Sequence, residues 1–199
     1  MTAHAPTPIV YAIDANDFIT RVNAQWLAFA LENHAPHLRA EGVVGTNLWT
    51  HIGEPTTRYL YRALLQQVRT SGEAVSLSFR SDSPELRRFT ELRLSHCGDG
   101  VVEFESRVVK QELRLAVNLL DARRPCSDDV VTVCSWCKKV AAPEWMEAEA
   151  AISTMRLFEK AVAPKITHGI CDHCQDVLLG QVARLAPGAT GEENGTPAP

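Results

Sequence analysis

The sequence predicts an α+β fold: a five-stranded antiparallel sheet with helices on one face, followed by a small α-rich metal-binding module. Three observations lead to this prediction. Two strand candidates precede several helix candidates, and three more strand candidates follow, which is the order of an antiparallel sheet with its helices on one side. Apolar residues alternate in the strand candidates and recur every three or four residues in the helix candidates. Two CxxC pairs then occupy the last third of the chain.

The first predicted elements are a hairpin and a helix. Ile9–Ile13 and Phe18–Val22 have the composition of strands, and the polar residues 14–17 between them predict a turn. Asn23 is a suitable N-cap, because an asparagine side chain accepts a hydrogen bond from a free N–H group at the start of a helix. We therefore expect a helix over Gln25–Glu32.

The central helices and the remaining strands follow in turn. Residues 33–41 predict a loop, residues 45–52 a short helix and residues 55–70 a longer one. Pro55 suits the first turn of the long helix, and Gly72 suits its end. Three further strands are expected over Ala74–Arg80, Arg88–Cys97 and Val101–Val109, with a tight turn at residues 98–100 between the last two.

The two CxxC pairs predict a metal site formed by Cys134, Cys137, Cys171 and Cys174. Four thiolates satisfy the tetrahedral shell of Zn²⁺ and leave no open position for catalysis. We therefore expect one structural Zn²⁺ ion per chain. An iron–sulfur cluster uses the same ligands, and redox-active thiols are the other alternative.

Histidines and aromatic residues lie close to the cysteine pairs. His168 and His173 are alternative ligands that would replace one cysteine, although four cysteines already complete the usual set. Lys138 is either a charge that offsets the thiolates or part of a solvated edge, and the same holds for Lys139. Trp136 and Trp145 are expected to pack in the core or between modules, because small metal modules have little other apolar area.

The boundaries follow from these elements. We expect a disordered tail over residues 1–7, a first module over 8–112, a linker over 113–131, a metal module over 132–183 and a second disordered tail over 184–199. Within the metal module, the apolar spacing from Trp145 to Met155 predicts one helix over Pro143–Lys160.

The composition limits the classes of function. With 20 Lys and Arg against 24 Asp and Glu, the net charge is −4, which makes nucleic acid an improbable partner. The apolar runs are too short to cross a membrane, and the start MTAHAPTP lacks the features of a signal peptide. A cytoplasmic location is therefore expected.

P-loop, G-x-S-x-G and dinucleotide motifs are missing, so we predict that the protein is not an enzyme.

Ordered motifs in the first module resemble those of PAS domains. They are IVYAIDANDFITRVNAQW at residues 9–26, G-x-x-LW at 45–49, the long helix, GEAV at 72–75 and the final strand pair. The later CSWCKK and THGICDHC motifs, within about residues 132–178, are similar to a segment found beside PAS-type modules in bacteria. PAS domains bind haem, flavin or small metabolites, or no ligand. The long helix has no histidine for haem, and the flavin-type Asn-Cys-Arg motif is missing, so no ligand is predicted for the module. His34, His37 and His51 are candidate ligands of a cofactor, and the alternative, which is the expectation, is that they are ordinary surface or hydrogen-bonded histidines.

The resemblance implies a bacterial signalling protein that acts through contacts with a partner protein or with a second copy of itself. Two alternatives remain open at this point. One is a thiol–zinc redox switch, in which oxidation of the paired cysteines releases the metal. The other is a nucleic-acid-binding zinc module, which the net charge disfavours.

Overall fold

A computed structural model describes residues 7–33, 35–121, 124–157 and 162–184. Apart from Thr7 and Arg184, the two predicted tails lie outside the described residues, and so does His34. Within the described ranges, no helix combines the length and the apolar character needed to cross a bilayer.

The N-terminal module contains a five-stranded antiparallel sheet, as predicted. Its strands are β1 (Ile9–Ile13), β2 (Ile19–Val22), β3 (Val75–Arg80), β4 (Leu86–His96) and β5 (Val102–Leu113). They lie in the order β2-β1-β5-β4-β3, so β2 and β3 are the two edge strands. The β4–β5 pairing is the longest and runs from His96 opposite Val102 to Leu86 opposite Leu113.

Three helices connect β2 to β3: α1 (Ala24–Glu32), α2 (Ala40–Val43) and α3 (Pro55–Ser71). The Asn23 carboxamide oxygen accepts the N–H of Trp26 at 2.9 Å, which confirms the predicted cap. Gly72 ends α3 in the left-handed conformation at φ +71°, where a residue without Cβ is favoured. The helix predicted over residues 45–52 is reduced to one 3-10 turn, Leu48–Thr50, and α2 begins inside the predicted loop.

The core of this module lies between α3 and one face of the sheet. Four buried residues of α3 meet four buried residues of the strands: Leu60, Leu64, Leu65 and Val68 on the helix, and Leu77, Leu92, Leu94 and Phe104 on the sheet. The other face of the sheet is polar and carries the ion pair between Arg107 and Glu105 at 2.7 Å. The helices therefore cover a single face, as expected.

The metal module is built on a second sheet. Its elements are β6 (Cys126–Cys134), β7 (Val140–Ala141), β8 (Trp145–Met146), α4 (Ala148–Thr154), β9 (Ala163–Gly169) and α5 (Asp172–Arg184). The strand order is β8-β7-β6-β9, and β6 pairs with β9 in parallel. Within the described residues the predicted module therefore contains two helices and, beyond what the sequence indicated, a four-stranded sheet.

Two segment predictions in this region are wrong for identifiable reasons. The helix predicted over Pro143–Lys160 is limited to α4, because Trp145 and Met146 pair with β7 instead. Residues 158–160 lie outside the described part of the chain. The predicted linker over 113–131 contains the start of β6 and the buried side chains of Val117 and Leu119, which belong to a second core with Val131 and Val133.

The buried face of α3 provides a test of this core. Leu64 is 0% exposed, so Leu64→Ala removes packing and is expected to lower the free energy of unfolding by about 2 to 5 kcal/mol. Leu31→Ala is the matched control, because Leu31 is 72% exposed, and it should change stability by about 0.5 kcal/mol or less. Urea denaturation measures both variants, and equal effects would contradict the packing described.

Candidate metal centre

The parallel pairing of β6 and β9 brings the two CxxC pairs together. Cys134 is the last residue of β6 and lies opposite Gly169, the last residue of β9. Cys171 follows two residues later, and Cys174 lies in the first turn of α5. Since both strands point in the same direction, both pairs emerge at the same end of the sheet.

The first pair forms a tight turn between β6 and β7. The N–H of Cys134 donates to the carbonyl of Lys139 at 2.8 Å, and the N–H of Lys138 donates to the carbonyl of Cys134 at 3.0 Å. Lys138 has φ +61°, the left-handed conformation that such a turn requires. The turn directs both sulfur atoms toward the second pair, and the N–H of Cys171 lies 3.4 Å from the Cys134 sulfur.

The four sulfur atoms have the spacing of a metal shell. All of them lie within 4.8 Å of one another, and the Cys137 and Cys171 Sγ atoms are 3.7 Å apart. Four ligands about 2.3 Å from a tetrahedral ion lie about 3.8 Å from each other, so the cluster fits Zn²⁺. The four cysteines are free thiols, and 3.7 Å is far longer than a disulfide bond of about 2.0 Å.

The electrostatics of the cluster favour one negative charge and oppose further ones. A hydrogen bond from the Cys137 thiol, aided by backbone N–H groups, lowers the pKa of Cys134 to about 4. The same hydrogen bond raises the pKa of Cys137, and burial together with the charge on Cys134 raises the pKa of Cys174 to about 12. A bound divalent cation would offset this repulsion and allow more of the thiols to ionise.

Lys138 lies against the cluster rather than on a solvated edge. Its side chain is partly buried, and Nζ donates to the carbonyl of Ser135 at 2.8 Å. Burial lowers the pKa of Lys138, while the negative charges of Cys134 and Asp82 oppose that shift. This placement favours the charge-offsetting role over the solvated one.

The histidines proposed as substitute ligands do not join the four sulfurs in the described part of the chain. His168 lies on β9 opposite Val133, and His173 is exposed on α5. Burial and the nearby charge of Lys138 lower the pKa of His168. The two remaining cysteines, Cys97 and Cys126, are exposed and separate from the cluster.

Trp136, between the first two ligands, docks the metal module onto the N-terminal sheet. Its indole N–H donates to the carbonyl of Ser78 at 2.8 Å, and its own carbonyl accepts the N–H of Arg80 at 2.8 Å. Both partners belong to β3, so the CxxC turn occupies the open edge of that strand. The indole is 7% exposed, which confirms the predicted packing role. Sequence reasoning missed the docking partner, because nothing local marks β3 as an edge strand.

A network of charges reinforces this contact. Arg80 of β3 donates to both carboxylate oxygens of Glu147 at 2.9 and 2.7 Å and also pairs with the fully buried side chain of Asp82. Arg114 pairs with Asp82 at 3.3 Å and with Glu149 at 3.4 Å. The two glutamates at the start of α4 therefore bind arginines of the N-terminal module. No local pattern marks this network, because Arg80 is the last residue of β3, a strand that alternates apolar residues with serines.

A cavity of about 810 Å³ lies next to the same contact. Its N-terminal wall includes the aromatic rings of Tyr11, Trp26, Tyr61 and Phe79. Its other wall comes from the metal module: Ser135 and Trp136 of the CxxC turn and residues 166–168 of β9. His51, one of the three candidate cofactor ligands in the first module, is exposed and lines this cavity. His37 is also exposed, and it is not among the residues that line the cavity.

Comparisons with known proteins give fold-level likenesses. No protein-family model matches the chain, and no curated protein matches it. The chain is similar to the PAS domain of the RpfR quorum-sensing receptor of Cronobacter turicensis, which was solved in complex with C12:0 and with BDSF. The identity is 14% and the TM-score is 0.40 in both cases, over 55% of this chain and 100% of that chain. It is also similar to a sensory box sensor histidine kinase from Vibrio cholerae, at 14% identity and a TM-score of 0.37, over 52% of this chain and 82% of that one. At these values the likenesses carry no inference about function.

The sulfur cluster predicts one Zn²⁺ ion per chain. Native mass spectrometry with elemental analysis should find it in the wild-type protein and not in Cys171→Ser, because three thiolates and a hydroxyl hold zinc far less tightly. Cys97→Ser is the matched control, since Cys97 is exposed and outside the cluster, and it should keep its zinc. Freshly reduced wild-type protein without metal would contradict the prediction.

The thiol pKa values predict that zinc affinity rises with pH. Cys137 and Cys174 have raised pKa values and remain protonated near neutral pH, whereas Cys134 with a pKa of about 4 is already ionised. Zinc must therefore displace at least the protons of Cys137 and Cys174. For every unit by which the pH is lowered, its apparent affinity should fall by about tenfold for each displaced proton. Chelator competition between about pH 8 and about pH 6 measures the slope. His168→Asn should leave the slope unchanged, and a slope below two protons would contradict the coupling of the thiols.

Proposed function

We propose that this chain is a bacterial signalling protein, in which a PAS-like sensory module is coupled to a structural zinc site and acts through protein–protein contacts in the cytoplasm. The observation that carries the proposal is the position of the sulfur cluster. It is buried at the junction of the two modules, with Trp136 between two ligands and against β3. A metal there would fix how the two modules meet.

The geometry of the cluster favours a structural role over catalysis. Cys134, Cys171 and Cys174 are at most 5% exposed, and four sulfur ligands complete a tetrahedral shell. A catalytic zinc ion needs an open position for water or substrate. The proposal that the protein is not an enzyme rests on this closed shell and on the motifs missing from the sequence.

An exposed apolar strip supports the proposed protein contacts. Val109, Leu113 and Leu115 are 59%, 86% and 89% exposed and lie near one another along the chain, on the last part of β5 and just beyond it. Exposed apolar side chains that cluster mark interaction surfaces more often than isolated ones do. We infer that this strip contacts a partner protein or a second copy of the chain.

The introduction of negative charge on the strip tests the contact. Leu113→Glu combined with Leu115→Glu should abolish binding to a partner or shift a dimer to a monomer, because burying two carboxylates in an apolar contact is strongly unfavourable. Leu31→Glu is the control, since Leu31 is also exposed but lies on α1. Light scattering on sized fractions and affinity capture of the zinc-loaded protein measure both. A strictly monomeric wild-type protein that captures no partner would contradict the proposal.

A thiol–zinc redox switch is the second candidate, and one observation favours it. Cys137 is the least buried ligand, and its sulfur lies 3.7 Å from that of Cys171. Oxidation of these two thiols to a disulfide by a peroxide would remove two ligands and release the metal. Mild peroxide treatment followed by zinc quantification distinguishes the candidates, because retention of zinc excludes the switch and stoichiometric release supports it.

A further inference from the structure

The cavity and the candidate metal centre share one residue, so a displacement of that residue would alter both of them. Trp136 forms part of the cavity wall and stands between Cys134 and Cys137. Its ring centre lies 5.7 Å from that of Tyr61 and 6.1 Å from that of Phe79, both of which line the cavity from the N-terminal module. The wall is therefore complete only when the CxxC turn is in place.

The remaining wall of the metal module depends on the same turn. The N–H of Ser135 donates to the carbonyl of Gly169 at 2.8 Å, which joins the CxxC turn to the end of β9. Ile166, Thr167 and His168 of β9 line the cavity beside Trp136. A metal ion bound to both CxxC pairs would hold the turn and the end of β9 together, because it takes ligands on either side of that hydrogen bond.

The chemistry of the walls indicates what would fill the cavity. Five aromatic rings, those of Tyr11, Trp26, Tyr61, Phe79 and Trp136, line it together with aliphatic side chains such as Ile19 and Leu48. Polar and exposed groups lie on two sides, at residues 51–55 and at residues 167–168, so the cavity reaches solvent between them. A volume of about 810 Å³ is within the range of small-molecule sites.

We propose that this cavity binds an amphipathic organic molecule with an aromatic or alkyl body, and that binding of this molecule and binding of the metal strengthen each other through Trp136. The inference rests on the zinc site of the proposed function and adds its regulation. If the molecule binds the metal-loaded protein more tightly than the metal-free protein, then the metal binds the protein that holds the molecule more tightly by the same factor. The metal centre would then report whether the cavity is occupied.

The test measures zinc loss from the full-length, zinc-loaded protein. Two fluorescent probes are used, the anionic anilinonaphthalene sulfonate and the neutral N-phenylnaphthylamine, which share the same aromatic body. The share of zinc that passes to a chromophoric chelator at equilibrium is measured with and without saturating probe. We expect the better-binding probe to raise the apparent zinc affinity by about fivefold or more.

Three variants locate the effect. Ile52→Trp places a large ring in the cavity from the N-terminal side, so it should block the probe and abolish the gain in zinc affinity while zinc remains bound. Trp136→Ala keeps all four cysteines but removes the shared wall, and the gain in zinc affinity should be lost. Trp145→Ala is the matched control: the same truncation in the same module at a residue that packs on the core, and the gain should persist.

The outcomes separate this inference from the proposed function. Purified protein without zinc would overturn both. Zinc that is bound with the same affinity with and without bound probe would overturn only the coupling, and so would a gain in zinc affinity that survives in Trp136→Ala. Failure of both probes to bind the wild-type protein would overturn the assignment of the cavity. The wild-type comparison decides the coupling even where a variant fails to fold.

Discussion

The structure depends on one contact: the backbone and indole of Trp136 on the open edge of β3. Edge strands present unpaired N–H and carbonyl groups, which invite association with other chains. Here the carbonyl of Ser78 and the N–H of Arg80, both on β3, are hydrogen-bonded to Trp136, a residue of a CxxC turn. One tryptophan thus closes a sheet edge, lines a cavity and lies between Cys134 and Cys137, and the buried core that it joins contains residues of both modules.

The charges around this contact make the junction specific. Asp82 is fully buried and is paired with Arg80 and Arg114, and Arg80 also binds Glu147. Removal of one partner from a buried charge network leaves an uncompensated charge and is costly. The network therefore holds α4 against the N-terminal sheet, and a metal bound to the four cysteines would hold the turn that carries Trp136.

Local patterns predicted much of the fold, and non-local pairing accounts for what they missed. Strand alternation located β1 to β5, and the Pro55 and Gly72 signals located α3, because each depends on a few neighbouring residues. The CxxC spacing identified the four cysteines for the same reason. The parallel pairing of β6 with β9, the strand role of Trp145 and Met146, and the docking of Trp136 on β3 depend on contacts between distant segments. The helical spacing of apolar residues from Trp145 to Met155 was therefore misleading, because Trp145 and Met146 pair with β7 as a strand.

X-ray absorption at the zinc edge tests the central claim most directly. A closed shell formed by Cys134, Cys137, Cys171 and Cys174 predicts four sulfur scatterers about 2.3 Å from the metal and no nitrogen or oxygen ligand. The full-length protein, purified under reducing conditions, is the sample. A shell with nitrogen or oxygen at about 2.0 Å would contradict the account, because it would mean that a histidine or a water molecule occupies a position assigned to a cysteine.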